Sequence, residues 1–218
     1  MSMGLLWRRL LSKQKGTHMI IPLFPINILK RSITIDWNQQ EVLLRLDKEF
    51  KSQVQGNDVN RHLHKEPVFA PIVNFMNECA TEYWTVLEHN PAFPIEMYQL
   101  WANCFEKHDL RPHDLDNDAP ANVTAVFYIQ KDSPDMGNIY FGNPNELILS
   151  TQPQTLERRH KKKHAEVEAI TGDVICFPSW LPHGIRQNLT NTPRLSMAAT
   201  YQLKGLDLFK KFVKGNNI

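Results

Sequence analysis

The chain has 218 residues, of which 42% are hydrophobic and 22% are charged, as in ordinary globular proteins, and this excludes a disordered or membrane-embedded chain. The formal net charge of +2 is too small to favour a nucleic-acid partner on electrostatic grounds alone. The three cysteines, Cys79, Cys104 and Cys176, lack CxxC spacing, so we expect neither a disulfide framework nor a thiolate zinc site, and a reducing cytoplasm fits.

The first residues, "MSMGLLWRRLLSKQKGTH", are basic and apolar but contain no apolar core long enough for a secretory signal. We interpret residues 1–19 as a leader or flexible segment, and Met19 could be the natural start. The length of the rest favours one domain over residues 20–218.

The N-terminal third predicts one strand and two helices. The β-branched stretch with two prolines at 20–35 is typical of an edge strand or an extended entry segment. Asp36 is the candidate N-cap of a helix that ends near Val54, and a second helix is predicted over 69–88 with Pro71 in its first turn. We expect this helical region, residues 36–90, to support the rest of the domain.

The remaining chain changes to short β-rich runs separated by Pro, Gly, Asn and Asp turns. Two helices followed by such a series predict an α+β domain whose β part is a sandwich or barrel. The predicted strands lie within residues 95–105, 122–130, 137–143, 146–153, 165–178, 184–190 and 193–204.

A cluster of basic residues lies between two of these runs. Its members are Arg158, Arg159, Lys161, Lys162 and Lys163. A solvated hairpin loop is the favoured interpretation, because no aromatic residues alternate with the charges to stack on bases. The alternative is that the cluster binds an anionic substrate or nucleic acid.

The segment "GDVICFPSWLPHGI", residues 172–185, predicts a turn, a short buried strand that ends at Pro178, and then His183. On the run that follows, Arg194 and Ser196 are two residues apart and therefore face the same side of a strand. Their donors suit a carboxylate. His183 could thus be a metal ligand beside a carboxylate site, or a structural histidine that caps a barrel.

These motifs, together with "NVTAVFYIQKD" and "GNIYF" upstream, resemble the double-stranded β-helix of iron(II)- and 2-oxoglutarate-dependent oxygenases, particularly phage and bacterial members related to prolyl hydroxylases. The resemblance covers residues 95–203 and implies a jelly-roll, cupin-like core there. It gives His183 the place of the distal metal-binding histidine. It also implies that Arg194, Ser196 and Tyr128 hold the far carboxylate of 2-oxoglutarate.

The other two metal ligands follow the family pattern less closely. His113 has the position of the first histidine, but Leu115 stands where the pattern His-x-Asp/Glu places a carboxylate. We favour Asp116 as the carboxylate ligand and keep Asp114 as a second choice. The absence of a carboxylate ligand is the third alternative.

The resemblance implies a dioxygenase that uses Fe(II), 2-oxoglutarate and O2, with ascorbate as a candidate reductant. It would hydroxylate a C–H bond of a peptidyl or amino-acid-like substrate and release succinate and CO2. Trp101 and Asn103 are expected to face the same side, where Asn103 could touch the oxo acid or the substrate. The alternatives are a catalytically silent β-helix that binds a metal or ligand and an oxygenase that acts on nucleic acid. We expect a cytoplasmic location, in the host if a phage encodes the chain, and no membrane partner.

Overall fold

The structure of the chain is a computed structural model that describes residues 26–32, 38–109, 117–144 and 164–205. Several predictions concern residues outside these ranges: the leader at 1–19, His113, Asp114 and Asp116, the strand at 146–153, and the basic cluster at 158–163. Within the described ranges, no helix is long and apolar enough to cross a membrane.

Both predicted helices are present, α1 over Gln39–Val54 and α2 over Ala70–Val86, with short 3-10 helices at Leu63–Lys65, Pro67–Phe69 and Pro134–Met136. The predicted N-cap of α1 is wrong. Asn38, not Asp36, caps the helix, because its side-chain oxygen accepts a hydrogen bond from the Glu41 amide at 3.2 Å. Asn and Asp are equally good N-caps, so the apolar spacing of the helix does not show which of the two residues begins it. Pro71 lies in the first turn of α2, as predicted.

Eight strands lie in the described part of the chain, and the run predicted over 165–178 is divided into two strands of different sheets. The eight strands are β1 (Leu29–Ser32), β2 (Ile95–Phe105), β3 (Val123–Gln130), β4 (Ile139–Gly142), β5 (His164–Val167), β6 (Asp173–Pro178), β7 (His183–Ile185) and β8 (Arg194–Leu203). β7 is shorter than the predicted run at 184–190. The Asn188 side chain accepts a hydrogen bond from the Thr190 amide and donates to the Phe105 and Thr192 carbonyls, which favours a turn over a strand there.

The described strands form two antiparallel sheets, one with the order β1-β6-β3-β8-β2 and one with the order β5-β4-β7. β1 lies at an edge of the larger sheet, as predicted from the two prolines that precede it in the sequence. Ser196 of β8 is the register partner of both Asn103 on β2 and Tyr128 on β3. Three candidate site residues therefore lie side by side on three adjacent strands of the sheet.

Two clusters of buried side chains account for the packing. The larger one joins α1 and α2 to one face of the five-stranded sheet, and Phe127 and Met197 belong to it. The smaller one lies between the two sheets and includes Ile139, Phe141 and Phe177. The chain is thus an α+β protein in which helices support one face of a double-stranded β-helix core, and the space between the sheets is left for the candidate site.

Candidate metal and cofactor site

A cavity of about 170 Å³ lies between the two sheets. We call it the central cavity, and residues of β2, β3, β4, β7 and β8 and one residue before β3 line it. These are Trp101, Asn103, Asp118, Thr124, Val126, Tyr128, Ile139, His183, Ile185, Arg194, Ser196 and Ala198. The structure therefore brings together all the predicted site residues that lie in the described ranges, including the expected pair Trp101 and Asn103.

His183 begins β7 and is held by two contacts. Its Nδ1 lies 3.0 Å from the Leu181 carbonyl, which can only accept, so Nδ1 carries the proton. Its ring packs against Phe177 with the ring centroids 4.7 Å apart. Nε2 is therefore the ring nitrogen that faces the cavity, which is the arrangement typical of a metal-binding histidine.

Asp118 lies opposite His183, and the sequence interpretation missed it. Its Oδ2 is 3.6 Å from His183 Nε2, and the two side chains are 21% and 17% exposed. The Asp118 amide donates to the Ser179 carbonyl at 2.8 Å, and Oδ2 accepts a hydrogen bond from Thr124 Oγ1 at 2.7 Å. The backbone and the carboxylate are thus both anchored, so the carboxylate is oriented before any ligand binds.

A signal for Asp118 was present in the sequence. The spacing after His113 favours Asp116 as the carboxylate ligand. Asp118 lies nearer to the strand that carries Tyr128, from which it is separated by a short segment that includes Pro120. Among the residues that the structure describes, no group of three His, Cys, Asp or Glu side chains could hold a metal ion. Among those residues, His183 and Asp118 are a pair of candidate metal ligands.

Arg194 forms the other end of the cavity. Its side chain is only 1% exposed, Nη1 donates to the Gly137 carbonyl at 3.1 Å, and the guanidinium carbon lies 4.4 Å from the centroid of the Phe105 ring. A buried guanidinium is costly unless anionic or dipolar groups surround it. The Arg194 side chain therefore makes this end of the cavity attractive to an anion.

Gly137 positions the carbonyl that accepts from Arg194. Its φ is +83°, and a Cβ built on it would lie 2.0 Å from the Arg186 carbonyl oxygen. Only glycine fits this backbone conformation and this close approach.

Tyr128 and Ser196 add hydroxyl groups beside Arg194. Both side chains are almost fully buried, and they line the same cavity. Burial raises the pKa of Tyr128 to about 12, although the charge of Arg194 opposes the shift. The phenol therefore stays protonated at neutral pH and can donate a hydrogen bond.

The two ends of the cavity carry different chemistry. An imidazole nitrogen and a carboxylate are ligands that Fe(II) accepts, and a guanidinium with two hydroxyl groups suits a carboxylate. The residues present thus fit a metal at one end and the carboxylate of an organic acid at the other.

A comparison with protein families finds a match over the residues that line the central cavity. Residues 99–199 match the family described as "Putative 2OG-Fe(II) oxygenase", and every residue that lines the central cavity lies within the match. This region is similar to the 2OG-Fe(II) oxygenase family. A comparison with curated protein sequences finds no match.

Solved structures share the fold of this chain. AviO1 from Streptomyces viridochromogenes Tue57 is 13% identical, with 81% of this chain and 90% of that chain covered and a TM-score of 0.55. HygX from Streptomyces hygroscopicus, with nickel and 2-oxoglutarate bound, is 16% identical over 82% and 83% of the chains, with a TM-score of 0.50. The non-heme alpha ketoglutarate dependent carbocyclase SnoK from nogalamycin biosynthesis is 12% identical over 85% and 86%, with a TM-score of 0.51. At these identities the likeness is one of fold.

Proposed function

We propose that the chain is an Fe(II)- and 2-oxoglutarate-dependent dioxygenase that hydroxylates a C–H bond of a peptidyl or amino-acid-like substrate, with release of succinate and CO2. One observation carries the proposal. The central cavity has an imidazole and a carboxylate at one end and a buried guanidinium with two hydroxyl groups at the other. The family match over the same residues supports it.

At the metal end, His183 and Asp118 would hold Fe(II), and we propose Asp118 as the carboxylate in place of Asp116 or Asp114. The distance of 3.6 Å between His183 Nε2 and Asp118 Oδ2 supports this choice, because the two atoms lie close enough to bind one ion. His113 remains the proposed third ligand. Thr124 would keep the Asp118 carboxylate oriented through its hydrogen bond.

At the cofactor end, Arg194, Ser196 and Tyr128 would bind the far carboxylate of 2-oxoglutarate by charge-assisted hydrogen bonds. The apolar side chains of Val126, Ile139, Ile185 and Ala198 would exclude water from the space between the two ends. Fe(II), when bound with 2-oxoglutarate and O2, supplies the oxidative chemistry, and the chain supplies orientation and shelter.

Anaerobic titration with Fe(II) and 2-oxoglutarate tests the proposal. We expect a visible charge-transfer band from the oxo acid on iron. The band should be lost in His183→Ala and in Asp118→Ala, because each variant removes a ligand. His89→Ala is the matched control, since the His89 ring stacks on Trp84 away from the central cavity and its removal should leave the band intact.

Three results would change the proposal. An intact protein that forms no band would contradict it. A band that survives in Asp118→Ala would return the carboxylate role to Asp116 or Asp114. A band without succinate release under O2, with free and peptide-bound amino acids as probes, would favour the catalytically silent binding protein.

A further inference from the structure

A second cavity adjoins the central one. We call it the outer cavity, and its volume is about 370 Å³, within the usual range for small-molecule sites. Trp101 and Asp118 line both cavities. A molecule in the outer cavity would therefore lie beside the carboxylate that we propose as a metal ligand.

The same inner face of two strands runs through both cavities. On β8, Arg194, Ser196 and Ala198 line the central cavity, and Thr200 and Gln202 continue the alternation into the outer one. On the neighbouring β2, Gln99 belongs to the outer cavity. The outer cavity is thus a continuation of the proposed active site and not a separate surface depression.

Two polar side chains that line the outer cavity have no hydrogen-bond partner among the described residues. Thr200 and Gln202 are only 5% and 6% exposed, and their side chains form no hydrogen bond with any residue in the described part of the chain. Their polar atoms are not among the fully enclosed, unpaired atoms of the described residues, so they reach the open space of the outer cavity. The hydroxyl and the amide are therefore available to a polar ligand.

Arg61 adds a positive charge to the wall of the outer cavity. Its guanidinium carbon lies 5.1 Å from the centroid of the Trp101 ring, and Nη1 donates to Gln99 Oε1 at a long 3.5 Å. Within the described ranges, no carboxylate forms an ion pair with Arg61. Arg61 is exposed, and a guanidinium without a carboxylate partner among the described residues can bind an anion with two hydrogen bonds.

We propose that the outer cavity binds the substrate to be oxidised, and that this substrate is a small polar molecule with a carboxylate or a phosphate group that pairs with Arg61. Thr200 and Gln202 hydrogen-bond its polar groups, and Trp101 packs against the part that faces the central cavity. This inference rests on the proposed function. Among amino-acid-like substrates it favours a free amino acid or a C-terminal residue, because a residue inside a chain has no main-chain carboxylate.

Isothermal titration of the full chain with matched probes tests the anion preference. The probes are N-acetyl-L-proline with N-acetyl-L-prolinamide, and glucose 6-phosphate with glucose. We expect at least one anionic probe to bind about 10-fold or more tightly than its neutral partner, as is usual for an arginine pair at a binding site. A preference for the first anion indicates an amino-acid-like substrate, and a preference for the second indicates a phosphorylated one.

Variants assign the preference to the outer cavity. Arg61→Gln should abolish it, whereas Lys65→Gln, which removes an exposed positive charge outside the cavity, should retain it. Equal binding of charged and neutral probes, or a preference that survives in Arg61→Gln, would overturn the inference.

A spectroscopic measurement tests the position of the probe. In the protein loaded anaerobically with Fe(II) and 2-oxoglutarate, the bound anionic probe should shift the visible band, because it lies beside the metal end. Binding with no change in the band would overturn the inference. A protein that forms no band at all contradicts the proposed function instead, and the titration of the unloaded protein still tests the anion preference.

Discussion

The two faces of β8 are buried to the same extent but differ in chemistry. The helix-covered face carries Leu195, Met197, Ala199 and Tyr201, whose one polar side-chain atom is the Tyr201 hydroxyl. The opposite face carries Arg194, Ser196, Ala198, Thr200 and Gln202. Met197 is 0% exposed and Ser196 is 1% exposed, so burial alone does not distinguish them.

The neighbouring strand β3 shows the same difference. Val123, Ala125, Phe127 and Ile129 pack against the helices, whereas Thr124, Val126 and Tyr128 line the central cavity. An apolar face is stabilised by contacts within the chain. On the cavity face, polar side chains such as Ser196 and Thr200 border open space, as expected if the binding partner is a ligand. The helix-covered face therefore holds the fold, and the cavity face is the one that we propose to bind ligands.

The largest effect is expected from a change on the helix-covered face. Phe127 is fully buried and packs edge-on against Phe75 with the ring centroids 6.5 Å apart. Phe127→Ala should lower the free energy of unfolding by about 3–5 kcal/mol, because it removes these contacts and leaves a cavity. Denaturant unfolding monitored by circular dichroism measures the loss.

Val126→Ala is the matched control for Phe127→Ala, since Val126 is the adjacent residue and points into a cavity that already exists. Its loss should be less than half as large. Equal losses from the two variants would show that the cavity face also holds the fold, and the distinction between the faces would fail.

A buried polar group that does have partners provides the next test. The Asp173 carboxylate is 0% exposed, accepts hydrogen bonds from the Ser32 hydroxyl and the Ile170 amide, and lies 2.9 Å from Lys30 Nζ. These contacts join β1 to β6. Asp173→Asn should therefore cost about 2 kcal/mol of unfolding free energy, as hydrogen bonds to charged groups usually do. The exposed pair Asp47–Lys51 is the control, and Asp47→Asn should cost under about 0.5 kcal/mol.

The effect of Asp173 should also depend on pH. Burial acts to raise the pKa of its carboxyl group, but the hydrogen bonds from Ser32, Ile170 and Lys30 outweigh burial and hold the pKa below its ordinary value. The group thus stabilises the fold above the unfolded-state pKa of about 3.9, and this contribution is lost as the pH falls through the lower, folded-state pKa. Unfolding measured from neutral to acidic pH should show the Asp173→Asn deficit shrinking at the acidic end. A constant deficit would contradict this assignment.

Strand and helix types were predictable because each element is strongly patterned. The 95–105 run, for example, is β2 from end to end. The N-cap at Asn38 and the early end of β7 were not predictable, because both depend on side-chain hydrogen bonds that leave no periodic signal. Local pattern thus identifies elements better than it identifies their ends.

For the site, an alternating strand predicted that Arg194 and Ser196 would share a face, and the structure confirms that both line one cavity. Asp118 was missed because it reaches His183 through a turn anchored on Ser179, a contact between residues 61 positions apart. Thr200 and Gln202 resemble ordinary strand residues until their burial without partners is known. Contacts of this kind come from the tertiary fold and not from local pattern.

The smallest effect on stability is expected for Thr200→Val, which replaces a buried hydroxyl that has no partner among the described residues with a methyl group of similar size. The free energy of unfolding should change by less than about 0.5 kcal/mol, because the substitution breaks no hydrogen bond among the described residues. Thr124→Val is the matched control on the same face. Its hydroxyl contacts Asp118 and Ser179 at 2.7 and 2.9 Å, so its loss should cost about 1–2 kcal/mol. If denaturant unfolding shows Thr200→Val to be as costly as Thr124→Val, then Thr200 already has a partner within the chain, and its hydroxyl is not reserved for a ligand.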